Sequence, residues 1–349
     1  MPLRPVSNPP NPWHGSHVEY LGEAAPNATL EVYEEEARSI LAENDSPDLG
    51  FRWSANPYRG CFHACAYCYA RPSHQYLGFG AGTDFDRRIV VKTNAPSLLR
   101  EAFERRSWTG ELVLLSGNTD CYQPLEASYE LTRGLLEACR DYRNPVGVIT
   151  KGALVRRDAA LLDEINRVAR ATVSISIPFA DDATGRKIEP SASTTTARFE
   201  AMRALCDAGV SVGINVAPVI PGLNDRDVPE LLERAHAAGA TRASLIPVRL
   251  SAEVLPIFRE RIREVLSPSE VRKIEHGIEE MRGGGGRMND SSFGARMTGV
   301  GARWAATEAL FDAHVKRLGL NAGADGGDRW ATVPATFRRP TAQRSLFEE

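Results

Sequence analysis

The chain has 349 residues, a formal net charge of -3, 42% apolar residues and 25% charged residues. That is enough chain for a large core, in one barrel with extensions or in two domains. The near-neutral balance argues against a sequence-independent grip on nucleic acid through overall charge. No apolar run approaches the length of a membrane span, and the Pro- and Asn-rich start lacks a signal-peptide core, so a cytoplasmic protein is expected.

Residues 1–50 are expected to form an N-terminal extension. Within it, Leu30 to Leu41 is expected to be a short acidic helix on the outside of the main domain. An alternative places Trp13-His14-Gly15 over an active-site mouth. From Phe51 a strand-then-helix rhythm sets in. Extended segments are expected at Phe51–Asn56, Ile89–Lys92, Leu112–Ser116, Val146–Thr150, Thr172–Ile177, Val210–Val216 and Ala243–Val248. Helices are expected at Ala95–Arg106, Leu125–Tyr142, Arg157–Arg170, Thr194–Ala208 and Asp225–Ala238. Such alternation indicates a parallel sheet with crossover helices. About six units without a nucleotide-type glycine fingerprint favour an α/β fold of the partial (β/α)6 TIM-like barrel kind, spanning 51–250. Its chemistry is expected at the C-terminal ends of the strands. A C-terminal helical segment follows over 251–320, with helices at Ala252–Val265, Pro268–Met281 and Gly301–Leu318. Ser267 caps the second of these and Pro268 takes its first position. The tail, 321–349, is expected to be disordered.

Half of the six cysteines lie within eight residues, as Cys61-x3-Cys65-x2-Cys68. They directly follow the first barrel strand. Soft thiolates select zinc, copper(I) or iron–sulfur. Structural zinc sites and ordinary cubanes take four protein ligands, so three leave a position open for chemistry. The competing reading is a structural zinc site completed by His63 or His74. Cys139 and Cys206 fall on apolar helix faces and read as core. Dyads such as Arg87-Arg88 and Arg156-Arg157 read as solvated charge, with a basic groove as the minority reading.

The wording NPYRGCFHACAYCYARPSH, then GNTDCYQPLE, ITKGALVRRD and INVAPVIPGLND, resembles the radical S-adenosylmethionine (SAM) superfamily. It is similar in particular to the spore-photoproduct-lyase-related, photolyase-like subgroup. The resemblance covers roughly Phe51 to Val300. It implies that Cys61, Cys65 and Cys68 hold three irons of a [4Fe-4S] cluster and that the fourth iron binds SAM. An electron from a flavodoxin- or ferredoxin-like donor would then yield a 5′-deoxyadenosyl radical that abstracts hydrogen from the substrate. Thr119 and Asp120 would receive the SAM ammonium, and Ser174 and Ser176 would reach its ribose or carboxylate. Arg186 or Lys187 would pair with the carboxylate, and Tyr67 and Asn215 would lie against the adenine. Nucleic-acid repair or modification is the substrate class suggested by analogy. A peptide or small molecule stays open, as does a non-catalytic, zinc- or cluster-stabilised nucleic-acid-binding role. One departure stands out. The hydrogen-donor cysteine of spore photoproduct lyase aligns with Gly117, four residues before Cys121. Cys121 takes that role only if its loop turns inward; otherwise it is a small buried hydrophobe.

Overall fold

The computed structural model describes residues 29–322 and 335–340. The Trp13-His14-Gly15 expectation lies outside them. In chain order the strands are β1 (Glu31–Glu35), β2 (Leu41–Glu43), β3 (Trp53–Ala55), β4 (Tyr58–Arg59), β5 (Arg88–Lys92), β6 (Val113–Leu115), β7 (Val146–Thr150), β8 (Ala171–Ser176), β9 (Ser211–Val219) and β10 (Arg242–Pro247). The helices are α1 (Thr83–Arg87), α2 (Ala95–Glu104), α3 (Glu126–Tyr129), α4 (Leu131–Asp141), α5 (Ala159–Val168), α6 (Asp182–Ile188), α7 (Thr195–Asp207), α8 (Val228–Ala237), α9 (Val254–Val265), α10 (Pro268–Met281) and α11 (Ala302–Leu318).

The larger sheet runs β10-β9-β8-β7-β6-β3-β2. Its six strands from β3 to β10 are parallel, and β2 is an antiparallel edge. Successive strands are always neighbours, which is the walk of a β/α barrel and not the reversal of a Rossmann sheet. The fold is therefore α/β with a partial TIM-like barrel of six units. Helices α5, α7 and α8 pack on one face of this sheet. Fully buried Val173, Val212 and Ile214 belong to that core. Registers place Ser54, Thr172, Ser174, Ser176, Asn215 and Ser244 together on the other, concave face.

The expected helix over Leu30–Leu41 is absent. Those residues form β1 and the start of β2. Strand β1 pairs in parallel with β5 across fifty-seven positions of sequence, Glu31 opposite Arg88 and Glu35 opposite Lys92. Long-range pairing overrides the local acidic pattern, and Val32 and Tyr33 suit a strand better than a helix. The same pairing moves Ile89–Lys92 out of the barrel. It belongs to a small second sheet, β1-β5-β4.

Other boundaries shift for local reasons. The Leu125–Tyr142 helix breaks at Glu130, whose φ is +51°. The Arg157–Arg170 helix begins later, after a tight turn at Ala153–Asp158. Helix α10 begins as expected, with Ser267 and Glu270 in a reciprocal capping box. In the tail, residues 335–340 are docked and not disordered. Arg338 donates its backbone N–H to the Tyr142 carbonyl at 2.8 Å. The Phe337 ring lies 6.0 Å from Phe103 and 6.3 Å from Tyr142. The Thr336 hydroxyl donates to the Arg143 carbonyl at 2.9 Å and adds to this docking.

Candidate metal and cofactor site

The cysteine loop leaves β3 through β4 and turns at Gly60, whose φ is +79°. A Cβ there would come within 2.9 Å of the Phe85 carbonyl oxygen, so only glycine fits. The Cys61 N–H donates to that same carbonyl at 2.9 Å. Ala64 also holds a positive φ of 56°. This uncommon geometry is locked from outside, because Arg261 on α9 donates to the Ala64 carbonyl at 2.6 Å. Arg71 donates to the Cys65 carbonyl at 2.8 Å. Asp86 joins the two arginines: it accepts from Arg71 at 2.9 Å and pairs with Arg261. Gln123 receives the Phe62 N–H at 2.9 Å and donates to the Gly60 carbonyl at 3.2 Å. The loop is thus pinned at five carbonyl or amide groups.

All three cysteines are free thiols, with Cys61 and Cys65 buried and Cys68 half-buried. Burial raises each thiol pKa, helped by Asp120 at Cys61 and by Glu189 at Cys65. Among the described residues, no group of three His, Cys, Asp or Glu side chains stands in closed metal-site geometry. The donor set itself suits an iron–sulfur group: three soft ligands on one short loop beside small residues. His63 faces Asp120, with its Nδ1 3.4 Å from the carboxylate. His74 is 2.8 Å from the Arg88 carbonyl and packs edge-to-face against Phe85 and at a tilt against Phe79. Both rings are already engaged, and burial lowers both pKa values, that of His74 to about 4.

The Tyr67 hydroxyl donates to Glu189, which also pairs with Arg198 and lies 3.7 Å from the Lys151 ammonium. Burial alone would raise the Glu189 pKa; the Arg198 and Lys151 charges outweigh it and hold the carboxyl below its usual range. Arg198 also donates to the Ser176 carbonyl at 2.9 Å and the Ser193 carbonyl at 2.8 Å. Tyr67, the residue before the last motif cysteine, is thereby tied to the end of β8. Lys151 sits 5.7 Å above the Tyr67 ring and donates to the Ala217 carbonyl at 3.3 Å.

Asp120 accepts from the Thr150 hydroxyl and the Lys151 N–H, each at 2.6 Å, and from the Tyr122 N–H at 2.9 Å. Its carboxylate braces the ends of β6 and β7. The Thr119 hydroxyl donates to the Tyr58 carbonyl at 2.8 Å. Ser174 and Ser176 are buried on the concave face and make no side-chain hydrogen bond with a described residue. Asn215 accepts from Ser244 at 2.6 Å on the same face. Arg186 and Lys187 are exposed on α6. Cys121 is fully buried against the core, its N–H on the Ser116 hydroxyl at 3.1 Å.

Sequence reading missed Glu189, Arg198, Lys151, Asp86 and Arg261. One signal was available. Arg198 shares the buried stripe of α7 with Ala201, Met202 and Leu205, and an arginine on such a stripe demands a buried partner. Nothing local marks Glu189 or Asp86.

A family model described as the radical SAM superfamily matches residues 55–235, just over half of the chain. The chain belongs to the radical SAM superfamily, whose members use a [4Fe-4S] cluster and SAM. An uncharacterized protein of Mycobacterium tuberculosis (strain ATCC 25618 / H37Rv) is 41% identical over 204 residues, covering 58% of this chain and 60% of that protein. The chain thus spans less than two thirds of that relative. A protein of Pseudomonas phage M6 named radical SAM Nalpha-GlyT isomerase is 24% identical, covering 65% of this chain and 46% of that one. Among solved structures, a spore photoproduct lyase mutant aligns with a TM-score of 0.57 at 18% identity, covering 83% of this chain and 80% of that one. A second mutant, with bound AdoMet and dinucleoside spore photoproduct, gives 0.55 at 18%, covering 84% and 81%. At these identities the likeness is one of fold.

Proposed function

We propose that this protein is a radical SAM enzyme whose Cys61, Cys65 and Cys68 hold the cluster and whose concave barrel face holds SAM and substrate. The observation that carries this reading is the pinned three-cysteine loop at the C-terminal end of the first barrel strand, beside a concave face where no described residue engages the Ser174 and Ser176 hydroxyls. When bound, the cluster and SAM would supply a 5′-deoxyadenosyl radical able to take hydrogen from a substrate. The chain's part is to hold, orient and shield. Arg71, Asp86 and Arg261 fix the loop. Ser174 and Ser176 offer hydroxyls toward the ribose or carboxylate of SAM, and Asn215 toward its adenine. Lys151, at the end of β7, is better situated than exposed Arg186 to meet the SAM carboxylate. Tyr67, braced by Glu189, presents its ring beside Lys151. Asp120 positions the β6 and β7 ends and acts on SAM only through them. Cys121 stays buried in this reading and serves packing.

An external electron donor of the flavodoxin or ferredoxin kind would reduce the cluster. No helix among the described residues is long and apolar enough to cross a membrane. A nucleic acid is the substrate class suggested by the spore photoproduct lyase fold, and it is proposed on that analogy alone.

Anaerobic reconstitution tests the reading. It should give about four irons per chain and a cubane absorption band, both lost in Cys61→Ala. A protein that instead takes up one zinc and no iron would overturn it.

A further inference from the structure

On the β2–β3–β6 side of the concave face lies a cavity of about 480 Å³. Its wall includes Ser54 of β3, Asn118 just past β6, the exposed ring of Tyr76, and two cations, Arg59 and Lys92. The size suits a small organic molecule. Because Ser116, Gly117 and Asn118 also line it, the cavity opens at the same strand ends that carry the cysteine loop.

Its charge is unbalanced. Lys92 ends β5, and its flanking strands bring one group each: Glu35 opposite it on β1 and Arg59 on β4. Glu35 leans toward Arg59, 3.8 Å away. Glu43, at the rim, is engaged by Arg52 at 2.8 Å. Lys92 makes no side-chain hydrogen bond or ion pair with a described residue. Burial, followed by the Arg59 charge, pulls its pKa down to about 8. The Glu35 charge opposes both effects but is shared with Arg59, so a cation held in this cavity wall is relieved by an incoming oxyanion.

We infer that this cavity seats the oxyanion end of an acidic substrate, a phosphate ester or a carboxylate, with Lys92 as the anion's counter-charge and Arg59 beside it. The inference rests on the concave face being the reaction chamber. It would aim the rest of the substrate along Ser116–Asn118, toward the cysteine loop.

The test is calorimetric titration of the full chain with inorganic phosphate and, separately, with acetate, at constant ionic strength in chloride. Saturable phosphate binding is expected at about pH 7, weakened about tenfold or more in Lys92→Met and falling as pH rises past about 8. Tighter phosphate than acetate assigns a phosphate ester, and the reverse assigns a carboxylate. Unchanged phosphate affinity in Lys92→Met, or an adventitious ion only (a response that chloride reproduces), overturns the inference. Should Lys92→Met fail to fold, competitive acylation of the wild-type protein replaces it. Phosphate should slow labelling of Lys92, and an unchanged rate overturns the inference. Neither measurement needs cluster turnover. Phosphate binding at Lys92 without SAM cleavage would sink the enzymatic reading and keep the anion site; the opposite pair of results would do the reverse.

Discussion

Arg261, on α9 in the C-terminal helical segment, donates to the carbonyl of Ala64 inside the cysteine loop at 2.6 Å, although 197 positions separate them. The last third of the chain therefore helps to shape the first motif. The link runs through Asp86, which Arg261 and fully buried Arg71 share.

Asp86→Asn should be among the most damaging single changes outside the cysteines. It leaves two guanidinium groups facing each other, one fully buried. Breaking a buried pair in this way costs about 3–5 kcal/mol. Thermal unfolding should show a large drop in Tm. Arg261→Met, by comparison, should fold and should hold less iron after reconstitution, because Ala64 loses the partner that secures its positive φ.

Glu189→Gln should alter the acid limb of stability. The Glu189 pKa lies below the usual carboxylate range in the fold. Its contribution is therefore fully present above the ordinary value of about 4.3 and lost as pH falls below it. Wild-type Tm should fall more steeply on acidification than that of the variant, which should be less stable at neutral pH. Parallel Tm–pH curves would argue against the Tyr67–Glu189–Arg198 brace.

His74 acts in a neighbouring window. Burial holds it neutral, with a pKa of about 4. Its ordinary value is about 6.5, so the unfolded chain binds the proton first as pH drops. Stability should be lost between about pH 6.5 and 4, by at most about 3 kcal/mol from this group. His74→Gln should flatten that window in an equilibrium denaturation series.

Phe337→Ala should cost about 1–2 kcal/mol, less than a fully buried aromatic, because its ring is only half covered. Arg339, which donates to the Phe103 carbonyl at 3.1 Å, should loosen with it. Faster proteolysis after the barrel's first helix-turn region, around Arg105, would register this.

Much of the site's frame was legible in the sequence. The cysteine spacing, the strand preceding it and the alternation of Val/Ile-rich runs with capped helices are local signals, and the fold follows them. Strand β1 was not legible, because β5, far along the chain, makes it a strand. Glu189 and Asp86 were not legible either, since a single carboxylate carries no mark of the arginine it will meet. Asp120 was legible as important but not in its role. Sequence position suggested contact with SAM but carried no sign of the hydrogen bonds it accepts from Thr150, Lys151 and Tyr122.

The central claim is that three cysteines leave one position open for SAM. The most direct measurement is product analysis after reconstituted protein is mixed with dithionite and SAM under anaerobic conditions. The account predicts 5′-deoxyadenosine and methionine from the wild type and none from Cys61→Ala. A wild-type protein with a full complement of iron that leaves SAM intact would contradict it.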